Sequence, residues 1–313
     1  MRASLSEPVV KNTSVIIPTL QAEKVLPELL SNLLSQTPPP HEIIIIDSHS
    51  TDGTLRIAEA NNCVTVCLPR DKFRHGAARN LGAQLATGDI LIYLTQDALP
   101  VDNHFVDKII QPICDGCAQA VYARQLPFDN AFPTERISRH FNYPPQSQIR
   151  TFKMLPKMGI RTFFFSNSAS AVDRDVFIEL NGFSEQLIVN EDMDYCLRLL
   201  RYGKSVAYQA DALVYHSHNY RLTSLFQRYF DIGVYFTQSK STLHRIPVDN
   251  EGKQFFSVAL NMLVASKEWI WIPYLFCESL VKLFAYQCGL RHRRLPIWAK
   301  QKLSGQGYFW VSQ

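Results

Sequence analysis

The run Ile43-Ile44-Ile45-Ile46-Asp47-Ser48-His49-Ser50-Thr51-Asp52-Gly53-Thr54 joins four consecutive branched apolar residues to an acid and a string of turn formers. Four apolar residues without polar alternation predict a central parallel strand buried on both faces. The polar stretch after it predicts a turn into a helix, with Ser50 or Asp52 offering a side-chain oxygen as cap. With Asp52 placed to cap, Asp47 is left at the strand end for a ligand, such as a ring N–H or a ribose hydroxyl.

The same alternation of periods extends outward in both directions. Residues 13–17 form a short β-branched run stopped by Pro18. Residues 23–35 place Val25, Leu26, Leu29, Leu30, Leu33 and Leu34 on one helical face, ended by Thr37-Pro38-Pro39-Pro40. Residues 64–68 give a third strand, 76–86 an Ala- and Leu-rich helix, and 90–94 a fourth strand followed at once by Thr95-Gln96-Asp97. The order β-α-β-α-β-α-β predicts an α/β fold: a Rossmann-like, mainly parallel sheet with right-handed crossovers, flanked by helices. Ligands bind such sheets beyond the carboxyl ends of the strands. Pro18-Thr19, Asp47-Ser48 and Gln96-Asp97 all stand there. Farther on, the pattern predicts strands at 162–165, 205–208 and 212–216, a helix over 192–202, and mostly helix from Leu222. Polar turn residues at Asp249-Asn250-Glu251-Gly252 predict a boundary between an α/β domain, 1–248, and a helical C-terminal extension, 249–313.

The composition excludes several classes. The 313 residues are 46% hydrophobic and 19% charged, which is a globular chain and not a disordered one. A net charge of +4 gives no ground for a nucleic-acid partner. Of the seven cysteines only Cys114-Asp115-Gly116-Cys117 makes a C-x-x-C, with no second pair at zinc-ribbon spacing, so the chain reads as a reduced, cytoplasmic protein. Glu7 and Lys11, with no apolar core around them, read as the absence of a signal peptide. Residues 269–289 are rich in Trp269, Trp271, Tyr274, Phe276, Phe284 and Tyr286 but include Pro273, Glu278 and Lys282, so they do not read as a spanning helix. Followed by Arg291, Arg293 and Arg294, they suit an amphipathic helix lying on an anionic bilayer. A C-terminal helix packed on the domain, with a solvated basic end, accounts for them equally.

Four constellations carry chemistry. Asp97, in a strand-end loop, offers an oxygen ligand to Mg²⁺ or Mn²⁺, and a diphosphate leaving group needs such a cation because it departs with developing negative charge. Asn190-Glu191-Asp192-Met193-Asp194 puts three acids in four residues at a helix start. The helix dipole favours acids there, yet three exceed what capping requires, and one is available to take a proton from a hydroxyl. His216-Ser217-His218 follows an apolar strand, and period 2 turns both imidazoles to one side, where one completes a cation's shell and the other binds phosphate or packs. Arg74, His75 and Arg79 around Gly76 make the start of the third helix an anion site. No G-x-G-x-x-G follows the first strand and no G-x-x-x-x-G-K-[ST] occurs, which excludes Rossmann dinucleotide and P-loop binding.

Taken together, Val15-Ile16-Ile17-Pro18-Thr19, Ile46-Asp47-Ser48 with Asp52-Gly53-Thr54, Ala78-Arg79-Asn80-Leu81-Gly82, Gly88-Asp89 with Thr95-Gln96-Asp97, and Glu191-Asp192 resemble the inverting family 2 glycosyltransferases of GT-A fold, in the family's order over roughly residues 13–220. More narrowly, Phe73-Arg74-His75-Gly76-Ala77-Ala78-Arg79-Asn80, Leu94-Thr95-Gln96-Asp97-Ala98, Phe165-Ser166-Asn167-Ser168-Ala169-Ser170-Ala171, His216-Ser217-His218-Asn219-Tyr220 and the tail Leu295-Pro296-Ile297-Trp298 with Phe309-Trp310 resemble bacterial rhamnosyltransferases of O-antigen and exopolysaccharide assembly. The resemblance implies dTDP-β-L-rhamnose as donor, a lipid-linked oligosaccharide or polysaccharide as acceptor, and a place in the cytoplasm or on the inner face of the membrane. It assigns Pro18, Thr19, Asp47, Arg79 and Gln96 to the nucleotide, Asp97 with His216 or His218 to Mg²⁺ or Mn²⁺, Asp192 to the general base and Glu191 to its support or the acceptor. Gln96 before a single acid departs from the two or three acids the family often shows, which implies modest metal affinity. Three other readings differ in what they require: a UDP-hexose donor, a nucleotidyltransferase (which wants a glycine-rich loop after the first strand, absent here), and a non-catalytic membrane scaffold.

Overall fold

The computed structural model describes residues 11–69, 72–239 and 251–311. Nine strands form one sheet: β1 (Thr13–Thr19), β2 (Glu42–Asp47), β3 (Val64–Cys67), β4 (Ile90–Leu94), β5 (Leu99–Pro100), β6 (Ala120–Leu126), β7 (Gln148–Arg150), β8 (Ala169–Asp173) and β9 (Val206–Tyr215). Their order is β3-β2-β1-β4-β8-β6-β9-β5, with β7 added on β9. The four strands expected from the first hundred residues are present and parallel to one another. Ile43 to Ile46 are buried, and alternate residues feed separate cores. Ile44 and Ile46 join Ile16, Tyr93, Phe177 and Tyr195 on one face; Ile43 and Ile45 join Val15, Leu29, Leu30 and Ile92 on the other. Each such isoleucine contributes about 1.5–3 kcal/mol by leaving water. The His75–Leu85 helix presses on β1 at Gly82, where a Cβ would stand 2.3 Å from Cγ2 of Ile16.

The second half turns the sheet mixed. β8 is antiparallel to β4 and β6, whereas β6 and β9 are parallel. The carboxyl ends of β1, β2, β4, β6 and β9 therefore share one rim, with the beginning of β8 between them. Two expectations are corrected. Residues 162–165 are not a strand: Gly159–Phe163 is a 3₁₀ turn, and the strand begins at Ala169. Phe163 and Phe165 are buried outside the sheet, while the strand opens on small residues, Ala169, Ser170 and Ala171, which pack fully buried between neighbours without a hydrophobic signature. The strands expected at 205–208 and 212–216 are one strand, β9, whose register jumps opposite Ala123 and Arg124. That bulge contains Asp211, the polar interruption that divides the run in sequence.

The helix Ile272–Leu290 lies along Leu222–Gln238 through two glycines: a Cβ on Gly289 would stand 2.1 Å from the Phe230 carbonyl oxygen and 2.9 Å from Gly233 Cα. Packing of the 269–289 segment is thus real, while Trp269, Ile270, Phe276, Leu280, Leu283 and Phe284 remain exposed on its other side. Among the described residues no helix is long and apolar enough to cross a membrane. The boundary expected at 248/249, and the signal-peptide expectation resting on Glu7, lie outside the described residues.

Candidate active site

Register explains why Asp97 meets the two histidines. β5 follows Asp97 by two residues and pairs antiparallel with β9, Leu99 opposite Tyr215. Asp97 therefore falls beyond the end of β9, where the chain continues to His216 and His218. Asp97 Oδ1 lies 3.6 Å from His216 Nε2 and Oδ2 lies 3.4 Å from His218 Nε2. The two Nε2 atoms are 3.1 Å apart. His216 Nδ1 is 2.8 Å from Oε1 of Gln125, which can only accept, so Nδ1 carries the proton and Nε2 presents a lone pair to the cluster. Arg139 also donates to that Gln125 oxygen and is itself held by Glu135, which fixes the amide's orientation. Burial pushes the His216 imidazolium down to about 3 against the pull of Asp97, and lowers that of His218 likewise. Both rings are neutral near pH 7, the form that ligates a cation. Two imidazoles and one carboxylate within 4.8 Å of one another fit a divalent cation with coordination positions left for a ligand's oxygens.

Asp192 stands on the same rim, at the start of the Glu191–Arg201 helix. Thr95 N–H donates to the Ser168 carbonyl at 3.1 Å, and Asn167 N–H donates to Asp192 Oδ2 at 3.2 Å, so the loop before β8 spans from the Asp97 loop to Asp192. Met193 N–H donates to Oδ1 at 2.8 Å. Burial, then the neighbouring Glu191 charge, raise the Asp192 carboxyl to about 7 despite those two donors. Glu191 is held by different partners. It is 5% exposed and bound by Arg79 Nη1 at 2.9 Å, with Asn167 Nδ2 at 3.5 Å. The two adjacent acids are thereby divided, one held as an ion pair and one left as a base able to work near neutrality.

The residues expected at the nucleotide are distributed more unevenly. Pro18 and Thr19 close β1 beside Ile46 and Asp47. Asp47 is fully buried, and its oxygens accept from Thr19 Oγ1 at 3.0 Å, Ser50 N–H at 2.7 Å and Ser50 Oγ at 2.6 Å, so it shapes the 47–50 turn. Asp52 accepts from Thr54 N–H at 3.1 Å at the helix start and from Glu23 N–H at 3.1 Å, one residue ahead of the true cap position, Gly53. Gln96 faces protein: its Oε1 accepts from Leu20 N–H at 2.8 Å and its Nε2 donates to Leu20 O at 3.1 Å, which pins the loop after β1. Arg79, expected at a base or diphosphate, is 5% exposed and turned to Glu191; Arg74 lies over the rings of Tyr308 and Phe309. At Gly76 a Cβ would stand 2.3 Å from the Ser184 carbonyl oxygen, so this helix start is closed against protein. Cys114 and Cys117 are exposed and free.

Sequence reasoning missed Gln125 and Arg139. A glutamine closely following the apolar run Ala120-Val121-Tyr122-Ala123, 1% exposed in the fold, was the available signal for the first. Arg139 had none, since its partner is made only by tertiary packing.

Comparison with known proteins agrees with this geometry. Glycosyl transferase family 2 matches residues 14–180, just over half of the chain. The O-antigen chain rhamnosyltransferase RfbN of Salmonella typhimurium is 35% identical over 300 residues, 95% of each chain. WbaN of Salmonella anatum, an O-antigen chain rhamnosyltransferase, is 33% identical over 95% of each. Among solved structures, a Pyrobaculum calidifontis mannosyltransferase in complex with GDP-Man and Mn²⁺ superposes with a TM-score of 0.59 over 98% of this chain and 87% of its own at 16% identity. Staphylococcus aureus TarS 1-349 in complex with UDP superposes at 0.52 over 90% and 91%. The chain belongs to glycosyl transferase family 2 and has the GT-A fold with a helical C-terminal region.

Proposed function

We propose that this family 2 glycosyltransferase moves L-rhamnose from dTDP-β-L-rhamnose to a hydroxyl of a lipid-linked oligosaccharide or polysaccharide, with inversion. The observation that carries it is Asp192: a carboxyl raised to about 7, beside an ion-paired Glu191, on the rim that holds Asp97, His216 and His218. Relatives named as rhamnosyltransferases over 95% of the chain support the sugar.

In the reaction the acceptor oxygen bonds to the anomeric carbon from the face opposite the diphosphate, whose C–O bond breaks with both electrons leaving on oxygen. Asp192 takes the hydroxyl proton. One carboxyl suffices, because a diphosphate departs without general acid help; a glycosidase would need a pair. Asp97, His216 and His218 would hold Mg²⁺ or Mn²⁺, which when bound supplies positive charge to the leaving diphosphate. Arg79 holds Glu191 in place by an ion pair, and the Glu191 charge in turn raises Asp192. The nucleotide lies at the Pro18 end of β1, where Asp47 holds Thr19 and the 47–50 turn in place and Gln96 sets the backbone of Leu20.

The same reading puts the enzyme on the inner face of the cytoplasmic membrane. Phe276, Leu280, Leu283 and Phe284 lie on one exposed stripe of their helix, with Trp269 and Ile270 before it and Ile297 and Trp298 after it. From Ser279 to Gln313 there is no acid, whereas Lys282, Arg291, Arg293, Arg294, Lys300 and Lys302 are basic. Apolar side chains rimmed by cations suit an anionic bilayer.

A screen of purified protein against dTDP-rhamnose, UDP-glucose, UDP-galactose and GDP-mannose, scoring donor hydrolysis with and without EDTA, tests the donor. Preferred turnover of dTDP-rhamnose is expected. A preference for a UDP-hexose overturns the sugar, and no turnover of any donor overturns the enzymatic reading.

A further inference from the structure

A cavity of about 250 Å³ lies between the helix Pro133–Asn142, the helix Leu222–Gln238 and the helix Ile272–Leu290. It begins at the cation cluster, since His218 lines it, and Tyr143 and Phe164 form its floor. Of the strand-end motifs only the one after β9 reaches it, through His218. Its walls come from the second half of the chain, beyond the 14–180 family match, apart from residues 132–143 and Phe164.

Its chemistry is that of a sugar-binding pocket. Tyr220, Tyr229, Tyr274 and Phe132 supply ring faces and edges for the apolar side of a pyranose. Glu135 with Arg139, and Glu278 with Lys282, are neighbouring acceptor–donor pairs, the pattern a ring of hydroxyls satisfies because each hydroxyl both gives and accepts. Two groups are left over. Glu278 is 8% exposed and its Oε2 has no hydrogen-bond partner. A buried carboxylate oxygen without a donor costs about 1–3 kcal/mol or more, which a ligand hydroxyl would relieve. Arg228 is exposed at the mouth; among the described residues it pairs with no carboxylate, and its guanidinium lies 5.8 Å from the centre of the Tyr220 ring. Asp192 and Tyr143 are within its electrostatic reach. The volume lies below the roughly 300 Å³ at which pockets for larger ligands begin, so a nucleoside diphosphate does not fit and one sugar ring does.

We propose that this cavity, on the reading that the chain transfers a sugar, is the acceptor subsite, taking one neutral pyranose ring of the acceptor glycan with Glu278 and Arg228 bonding its hydroxyls. It places the acceptor between the Pro133–Asn142, Leu222–Gln238 and Ile272–Leu290 helices.

The test is saturation-transfer NMR on the full chain with octyl mannoside, galactoside, glucoside and rhamnoside, first without nucleotide and then with dTDP-rhamnose saturating. Transfer from protein to the ring protons of at least one glycoside is expected, weakened about tenfold or more in Glu278→Gln and in Arg228→Ala. Nucleotide affinity and acceptor-independent donor hydrolysis should be unchanged in Glu278→Gln. Arg228 is exposed, so its variant keeps the test open if Glu278→Gln unfolds. Absence of transfer from every glycoside, displacement by the nucleotide sugar or by pyrophosphate, or equal binding in Arg228→Ala overturns the proposal. Donor turnover without glycoside binding refutes the subsite alone; glycoside binding without turnover of any donor refutes the transfer reading alone.

Discussion

Asp192→Asn separates catalysis from stability, and the structure gives the sign of each. The substitution removes the base, which costs roughly 10²–10⁴ in turnover. It also removes a carboxyl that titrates at about 7 in the folded chain and at about 3.9 unfolded. Below about pH 4 that group is protonated in both states. Between about pH 4 and pH 7 the folded chain retains a proton that the unfolded chain has released, so wild-type stability falls by up to about 1.4 kcal/mol per pH unit, then levels off. The ceiling is about 4 kcal/mol, and roughly half is expected to remain once local rearrangement relieves the charge. Asn keeps one acceptor for the Asn167 and Met193 N–H groups and loses the other, at about 1 kcal/mol. That loss is independent of pH and drops out of the slope. The assay is thermal unfolding of both proteins from about pH 5 to pH 8, beside turnover of dTDP-rhamnose and nucleotide titration. The variant should gain on wild type as pH rises from about 5 to 8, by about 1.3 kcal/mol, half of the roughly 2.7 that two pH units allow, while binding nucleotide normally and turning over almost none. Wild-type turnover should fall as pH drops through about 7. Parallel melting curves at every pH, or near-normal turnover by the Asp192→Asn protein, would refute the reasoning that Asp192 is the raised base.

The remaining expectations are shorter. Asp97→Ala and His218→Ala should each weaken dTDP binding about tenfold or more in Mn²⁺ and leave metal-free binding unchanged; equal calorimetric affinities in Mn²⁺ would dismiss the cation cluster. Gly82→Ala should cost about 1–3 kcal/mol by forcing a methyl against Ile16, read as a lowered urea midpoint at unchanged slope. Replacing Phe276, Leu280 and Phe284 by Ser should abolish sedimentation with phosphatidylglycerol vesicles while donor hydrolysis persists, and Arg293→Glu with Arg294→Glu should make the residual binding insensitive to salt. Wild-type protein that fails to sediment with such vesicles would remove the membrane face.

The local pattern was sufficient for much of this protein. A four-residue apolar run fixes a two-sided buried strand at Ile43 to Ile46, since no other placement hides every side chain, and an acid after such a strand must stand at the sheet rim. Asp47 and Asp97 could thus be assigned to one end of one sheet. The tertiary structure decided what each does there. Gln96 and Asp97 are adjacent, yet one bonds Leu20 and the other meets two histidines about 120 positions on, because β5 pairs with β9. Glu191 and Asp192 are adjacent too, and their division depends on an arginine 112 positions away and on burial. Periodicity along a chain records which side of an element is apolar; it carries no record of which distant charge arrives, or of how little water remains when it does.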